Sequence, residues 1–388
     1  MSNLLFSRNT KVYLEKDSQV WEIPVLDGFS FSQSQNTTEV TLSEAISSTG
    51  KSKRSRKVFN DSFAPAEWSL STYIRPFAAT PGSGNLWQAA GTNADIHAVE
   101  ESLWACLVSK PTFTASDTTP TDASWSKGIT NATTGLTIGF NDSEVSDLGT
   151  FNLYFVTSGG GTSKVYKITS CCVNEASVDF DIDGIATINW SGFGSLISEE
   201  SSAPSLTINE KIADTSNFIR NRLTSLTLKT VDDHLSADAD GSDDEYNIVL
   251  TGGNITFSNN ITYLTPEFLG KVNKPIGHVV GTRNIGGSLT CYLDTGTYSG
   301  KRNPADLFKD IMDEDSVVTN SFDMDISIGG TNGNRVEVSL PRCHLEIPTH
   351  SIEDVISLEV NFHALADGLD PTDGGDVESM EAKLVYKV

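Results

Sequence analysis

Carboxylates at alternate positions ending in glycine, Asp179, Asp181, Asp183 and Gly184, have the spacing that opens a calcium-binding EF-hand loop. Trp190 stands where that loop needs its bidentate Glu, so the run reads as an acidic hairpin turn. A denser group, Asp238, Asp240, Asp243, Asp244 and Glu245, could hold a cation weakly, but solvated acidic turns have the same composition. Cys171, Cys172, Cys343 and His344 are metal-ligand types without a CxxC pair. Adjacent strand residues leave opposite faces, so small apolar packing is the expectation for them. The six histidines form no HExxH pair, and no GxSxG elbow or phosphate cradle accompanies them. Nothing here requires an enzyme, a metal or another cofactor.

One basic cluster remains: Lys51, Lys53, Arg54, Arg56 and Lys57, with a weaker version in Lys271, Lys274, His278 and Arg283. A nucleic-acid patch would interleave aromatics, which are missing; a solvated loop is the bland alternative. A protein contact is favoured, in which a basic loop orders against an acidic neighbour and charge selects partner and register. The formal net charge of −24 repels DNA over most of the surface and also serves solubility.

These residues sit on a chain that states one pattern twice. Residues 170–190 and 342–362 each hold a strand reaching a Cys (Cys172, Cys343), a Glu three positions on (Glu175, Glu346), an acidic turn, and a strand with alternating apolar side chains. In that last strand Ala186, Ile188 and Trp190 lie over Leu358, Val360 and Phe362. Upstream, residues 164–168 parallel 335–339, 97–107 parallel 301–312, 68–73 parallel 287–292 and 28–32 parallel 254–258. Collinear recurrence predicts a duplicated domain, 1–205 and 206–388, joined by a linker at 198–214. Residues 111–150 have no counterpart and are expected to be a surface insertion with some strand. The alternation elsewhere (Phe29, Phe31; Leu153, Phe155; Met324, Ile326, Ile328) predicts a mainly β protein, two tandem antiparallel sandwich or barrel domains. Each carries one short helix, at 96–108 and at 304–313, where Pro304 suits a first turn and Asn303 a cap. A polar acidic tail follows at 367–381, and the alternating 383–388 could pair with a free sheet edge. Five scattered cysteines and a polar start point to assembly in a reducing cytoplasm, with neither a leader nor a membrane span expected.

The runs 21–31 (WEIPVLDGFSF), 67–76 (EWSLSTYIRP) and 181–194 (DIDGIATINWSGFG) resemble the major tail tube proteins of long-tailed bacteriophages, and the resemblance covers nearly the whole chain. It implies two packed antiparallel sheets with a flanking helix, a long loop between early strands, and rings stacked into a hollow DNA-conducting tube in the virion. The usual member has one such domain in six-membered rings. Two domains here resemble the duplicated type found in some siphophages, implying three chains per pseudo-hexameric ring. Implied partners are the chain itself and the tape measure, tail terminator and distal tail proteins. DNA would pass without specific binding, and Glu359 is a candidate for the bore. The competing reading is a two-domain carbohydrate-binding or adhesion module.

Overall fold

The computed structural model describes residues 4–46, 52–81, 87–89, 94–111, 128–140, 148–159, 162–181, 183–206, 217–230, 245–266, 269, 272–298, 300–313, 321–352, 355–366 and 381–388. The early strands are β1 (Thr10–Lys16), β2 (Gln19–Ile23), β3 (Ser30–Ser32), β4 (Gln35–Ile46), β5 (Ser52–Phe63), β6 (Ala66–Tyr73), β7 (Pro76–Pro81), β8 (Trp87–Ala89) and β9 (Asp95–Ala98). Helix α1 (Glu101–Val108) precedes β10 (Ile129–Ala132), β11 (Gly135–Phe140), β12 (Phe151–Gly159), β13 (Thr162–Asp181), β14 (Thr187–Gly194) and β15 (Leu196–Glu200). Then come β16 (Ser225–Thr230), β17 (Glu245–Tyr246), β18 (Leu250–Ser258), β19 (Thr262–Leu264), β20 (Gly277–Val279) and β21 (Asn284–Tyr292). Helix α2 (Pro304–Asp313) leads to β22 (Phe322–Ile328), β23 (Arg335–Leu345), β24 (Thr349–Ile352), β25 (Ile356–Ala364) and β26 (Ala382–Lys387).

The chain is mainly β, and every ladder between these strands is antiparallel. One layer has the orders β2-β1-β12-β13-β15 and β17-β16-β22-β23-β26. The other has β3-β6-β14-β13 and β18-β21-β25 with β24 and the end of β23. β13 serves both layers: Val165–Thr169 pair with β15, and Cys172–Asp179 pair with β14. The two layers face each other across the core, where Phe31 of β3 lies 4.5 Å from Phe155 of β12 and Trp68 of β6 lies 6.0 Å from Phe151. No barrel closes among the described strands.

Register corrects the sequence comparison in two places. Phe151 opposes Cys171, and Phe322 opposes Cys343, each at an irregularity in its ladder. Both thiols donate to the carbonyl three residues back, Ile168 and Leu340. Cys343 therefore matches Cys171 rather than Cys172. Trp190 opposes Leu70 as Val360 opposes Leu289, so Trp190 matches Val360 rather than Phe362. A compensating exchange of bulk accompanies this: Trp68 opposes Gly192, whereas Gly287 opposes Phe362. A side chain on Gly192 would collide with the Trp68 ring at 2.5 Å, so one large residue per pair fills the space.

Both helices lie where apolar spacing places them. α2 spans Pro304–Asp313 and is capped reciprocally, the Asp306 N–H on Asn303 Oδ1 at 3.1 Å and the Asn303 N–H on Asp306 Oδ2 at 3.3 Å. α1 is shorter than the expected 96–108, because residues 95–98 are drawn into β9 alongside β7. Residues 129–140 of the insertion form the hairpin β10–β11, whose β11 pairs with β26. The alternating C-terminal run thus lies between β23 and β11, with both of its edges taken.

Trp104 of α1 is where the two halves meet: its ring lies 4.9 Å from Trp190, 5.5 Å from Phe257 and 6.3 Å from Phe140. Its Nε1–H donates to the Tyr386 hydroxyl at 2.7 Å, which donates to Glu100 at 2.9 Å. Burial pushes the Glu100 carboxyl up to about 7, with Tyr386 and Arg75 opposing that only in part. Unfolded, the group ionises near its ordinary 4.5. Between those values the folded chain holds a proton that the unfolded chain has lost, so this group makes stability fall as pH rises through the window, by about 1.4 kcal/mol for each pH step of one. Urea unfolding at pH 5 and pH 8 should show Glu100→Gln gaining on wild type at the higher pH; parallel profiles would show that the carboxyl is not buried as described.

Candidate functional site

The second layer presents its outer face as one polar surface, because period-two strands that bury Trp68, Leu70, Ile188, Trp190, Val360 and Phe362 must turn the alternate residues away. Those alternate residues are mostly Ser, Thr and Asn, with carboxylates Glu67, Glu175, Asp179, Asp181 and Glu359 and with Tyr73, Phe193, Tyr292 and His363 among them. Glu359, the sequence candidate, is exposed on this face opposite Thr290 and Thr349. Among the described residues of β3, β6, β14, β18, β21, β24, β25 and the Cys172–Asp181 part of β13 there is no Lys or Arg.

Short polar side chains satisfy one another along this surface. Ser71 donates to Asn189 Oδ1 at 2.7 Å, and the Asn189 amide donates to Asp179 at 3.0 Å. Ser30 and Ser69 share a bond of 2.8 Å, Thr256 donates to Ser177 at 3.2 Å, and Asn361 donates to Glu346 at 2.8 Å. Asn361 and His363 together hold the Glu346 carboxyl below the usual carboxylate range.

The surface crosses from one half of the chain to the other through a strand joint. Glu175–Asp181 of β13 pair with Ser258–Gly252 of β18, Val178 opposing Ile255 and Ser177 opposing Thr256. This joint is clamped from behind. Asn259 donates to the Leu107 carbonyl at 2.9 Å and Arg283 to the Val108 carbonyl at 3.3 Å, serving carbonyls that the end of α1 leaves without helical partners. The Arg283 guanidinium also lies 5.2 Å over the Phe140 ring, itself stacked 4.8 Å from Phe257.

The basic candidates divide. Arg283 is only 5% exposed and is used inside the chain, so it is not a surface contact: its charge is absorbed by helix carbonyls and an aromatic face. Lys274 is exposed. The β4–β5 hairpin carries Lys53, Arg54, Arg56 and Lys57 on β5, which places them on a long arm. Arg56 grips Glu39 across the hairpin, Nε to Oε1 at 2.6 Å, and Lys57 lies 4.8 Å over the Phe59 ring. Lys51 and Lys271 lie outside the described residues, as do the side chains of Lys53 and Arg54. The base of the arm is tied to the other half by the Phe63 N–H on the Asn273 carbonyl at 2.9 Å. Sequence reasoning missed Asn259 and Arg283 as joint clamps; the only signal was their position just after β18 and before β21.

The chemical constellations come apart. Asp183 meets Arg222 at 3.6 Å on the surface, and residues 231–244 lie outside the description. All five cysteines are buried as free thiols. Cys172 lies 3.2 Å from His278 Nδ1, but burial pushes its thiol up to about 12, the opposite of an activated nucleophile. Among the described residues no three His, Cys, Asp or Glu side chains converge as a metal site.

A polar, carboxylate-bearing sheet that runs through a strand joint and ends in open strands, with no metal cluster among the described residues, has the character of a structural protein. The phage tail tube protein family matches residues 75–364. The chain is also 30% identical over 389 aligned residues to the tail tube protein pb6 of Escherichia phage T5, covering 96% of this chain and 75% of that protein. The chain belongs to the phage tail tube protein family, and it is a structural component of the virion. None of its described helices is long and apolar enough to cross a membrane.

Removing one clamp tests the joint. Arg283→Ala should lower the urea midpoint by the equivalent of about 1–3 kcal/mol, because the Val108 carbonyl loses a charged donor where water does not reach. An unchanged midpoint would show that the joint stands without it.

Proposed function

We propose that this chain polymerises as stacked rings into the hollow tail tube through which phage DNA travels to the host. Residues 1–205 and 206–388 are two copies of one plan, and three chains supply the six places of each ring. The observation that carries this is the β13–β18 joint, by which one chain already links two four-strand sheets edge to edge with a single polar face. Repeating that joint around an axis closes a channel and removes exposed edges.

Carboxylates on that face, Glu359 among them, line the bore. A surface whose strands β3, β6, β14, β18, β21, β24 and β25 carry no Lys or Arg, with Arg342 at the end of β23 as the exception, offers DNA phosphates little to release counterions against, so DNA slides without specific binding. The role is mechanical rather than enzymatic.

Stacking requires a heterologous contact, since only a top that differs from the bottom builds a filament. The two ends of the polar sheet do differ. At one end stand the arm, with exposed Val58 and Phe59, and exposed Leu264 and Ile276 beside it. At the other stand exposed Ile185, Phe218 and Val249, with Asp181 and Asp183. Lys53, Arg54, Arg56 and Lys57 of the arm and Lys274, at the first end, approach the carboxylates of the next ring, and Lys51 and Lys271, outside the described residues, are candidates for the same contact. Tape measure, terminator and distal tail proteins would meet the same two ends.

Electron microscopy of concentrated protein should show rings and hollow rods; dispersed monomers would favour a carbohydrate-binding or adhesion module. Neutralising the five arm cations together should leave the circular dichroism intact and slow rod growth, with added salt slowing the wild type similarly. Equal growth rates for variant and wild type at every salt concentration would end the arm's assigned part.

A further inference from the structure

Asparagine followed by glycine occurs once in the chain, at Asn332 and Gly333 in the loop between β22 and β23. We propose that this pair is a self-modifying site, where the Gly333 amide nitrogen attacks the Asn332 side-chain carbonyl and converts Asn332 to aspartate and isoaspartate.

The step balances with water alone. The Gly333 N–H gives its proton to solvent, and its nitrogen bonds to Asn332 Cγ. The bond from Cγ to Nδ2 breaks, and ammonia leaves with a proton taken back from solvent, which closes a five-membered imide. Water then opens that ring. Breaking the new bond gives aspartate, whereas breaking the original peptide bond gives isoaspartate, whose main chain runs through the former side chain. In sum, one amide and one water become one carboxyl group and one ammonia. Because both reacting groups sit on adjacent residues, closure is unimolecular.

Three features of the loop put this asparagine ahead of the others. First, the attacking nitrogen is open: Gly333 is exposed, a side chain there would meet nothing within 4 Å, and among the described residues nothing accepts its N–H. Second, the side chain is barely held. Its amide reaches Thr331 Oγ1 at 3.5 Å, the outer limit of a hydrogen bond, so it changes rotamer freely. Asn189, Asn254 and Asn361 instead bind neighbours at 2.7–3.0 Å and precede Trp190, Ile255 and Phe362, whose bulk shields the following nitrogen. Third, Arg335 Nη1 donates to the Gly333 carbonyl at 3.1 Å. That sets a positive charge beside the nitrogen that must lose its proton.

The loop also tolerates the product. The β22–β23 ladder has its last pair at Ile328 and Val336, and the β23–β26 ladder has its last at Arg335 and Lys387, so residues 329–334 carry no ladder bond. Conversion adds one negative charge in the second half alone, since the matching turn at 159–163 (GGGTS) has no asparagine. A virion protein is not replaced after assembly, so the charge accumulates as the particle ages.

Folded protein held in heavy-oxygen water at mildly alkaline pH, then digested, should show aspartate and isoaspartate at 332, both carrying the heavy oxygen. Conversion should rise with pH and exceed that of Asn334, which shares the loop but precedes Arg335, by roughly tenfold or more. Asn332→Gln, which would have to close a larger ring, should lack the acidic species on isoelectric focusing. The chain unfolded in urea sets the unrestrained rate, and folded protein should convert within about tenfold of it. An Asn332 that keeps its amide when folded while converting in urea, or that converts no faster than Asn334, would overturn the proposal.

Discussion

A strand at the edge of a sheet exposes a row of backbone donors and acceptors, and the architecture of this chain follows from where those rows are paired. β13, residues 162–181, settles most of them: it belongs to one layer over its first half and to the other over its second, and its far edge takes β18. That last pairing turns two four-strand sheets into one. Because it forms within a single polypeptide, it avoids the loss of translational and rotational freedom that the same contact between separate chains would incur. Half of the joints around a ring built this way would exist before any two molecules met.

The internal joint is also the better supported of the two kinds. Behind it α1 ends on Asn259 and Arg283, the inserted hairpin stacks Phe140 on Phe257, and Tyr386 joins Trp104 to Glu100. Matching Trp68 to Gly287 puts Ala64 at the place of Arg283 in the first half. A joint made against that half has no guanidinium to offer a helix end. The insertion likewise belongs to one half, and its β11 completes the layer of the other. Strength at the permanent joint and plainness at the open edges suit a molecule that must fold once and associate later.

Much of this is legible in the sequence, and the failures have physical causes. Alternation separates the core face from the polar face, which is why Glu359 falls on the exposed side of its strand before the fold is known. Asn303 and Pro304 announce α2 because a cap and a first-turn proline act locally. The proposed repeat is read from apolar spacing, but its register slips. The turn between the paired strands is longer in the first half, from Asp179 to Thr187 against Ser351 to Ser357, and that difference, which has no sequence mark, moves the match of Trp190 from Val360 to Phe362. Arg283 misleads because sequence reports charge and not burial. Pairing of β11 with β26 joins residues over two hundred positions apart, and no local pattern encodes it.

The polar face raises a last point about composition. Abundant Ser, Thr and Asn would ordinarily offer donors to phosphate, and an acidic balance alone would not prevent individual hydroxyls from binding DNA. Here a part of the donors is spent on neighbours: Ser71 on Asn189, Asn189 on Asp179, Thr256 on Ser177 and Asn361 on Glu346. A carboxylate terminates two of these chains, so the surface turns acceptors outward. Repulsion then acts at two ranges, from net charge over about 8 Å at physiological salt and from lone pairs at contact. On the proposed reading that this face lines the bore, both ranges would act against adhesion of DNA.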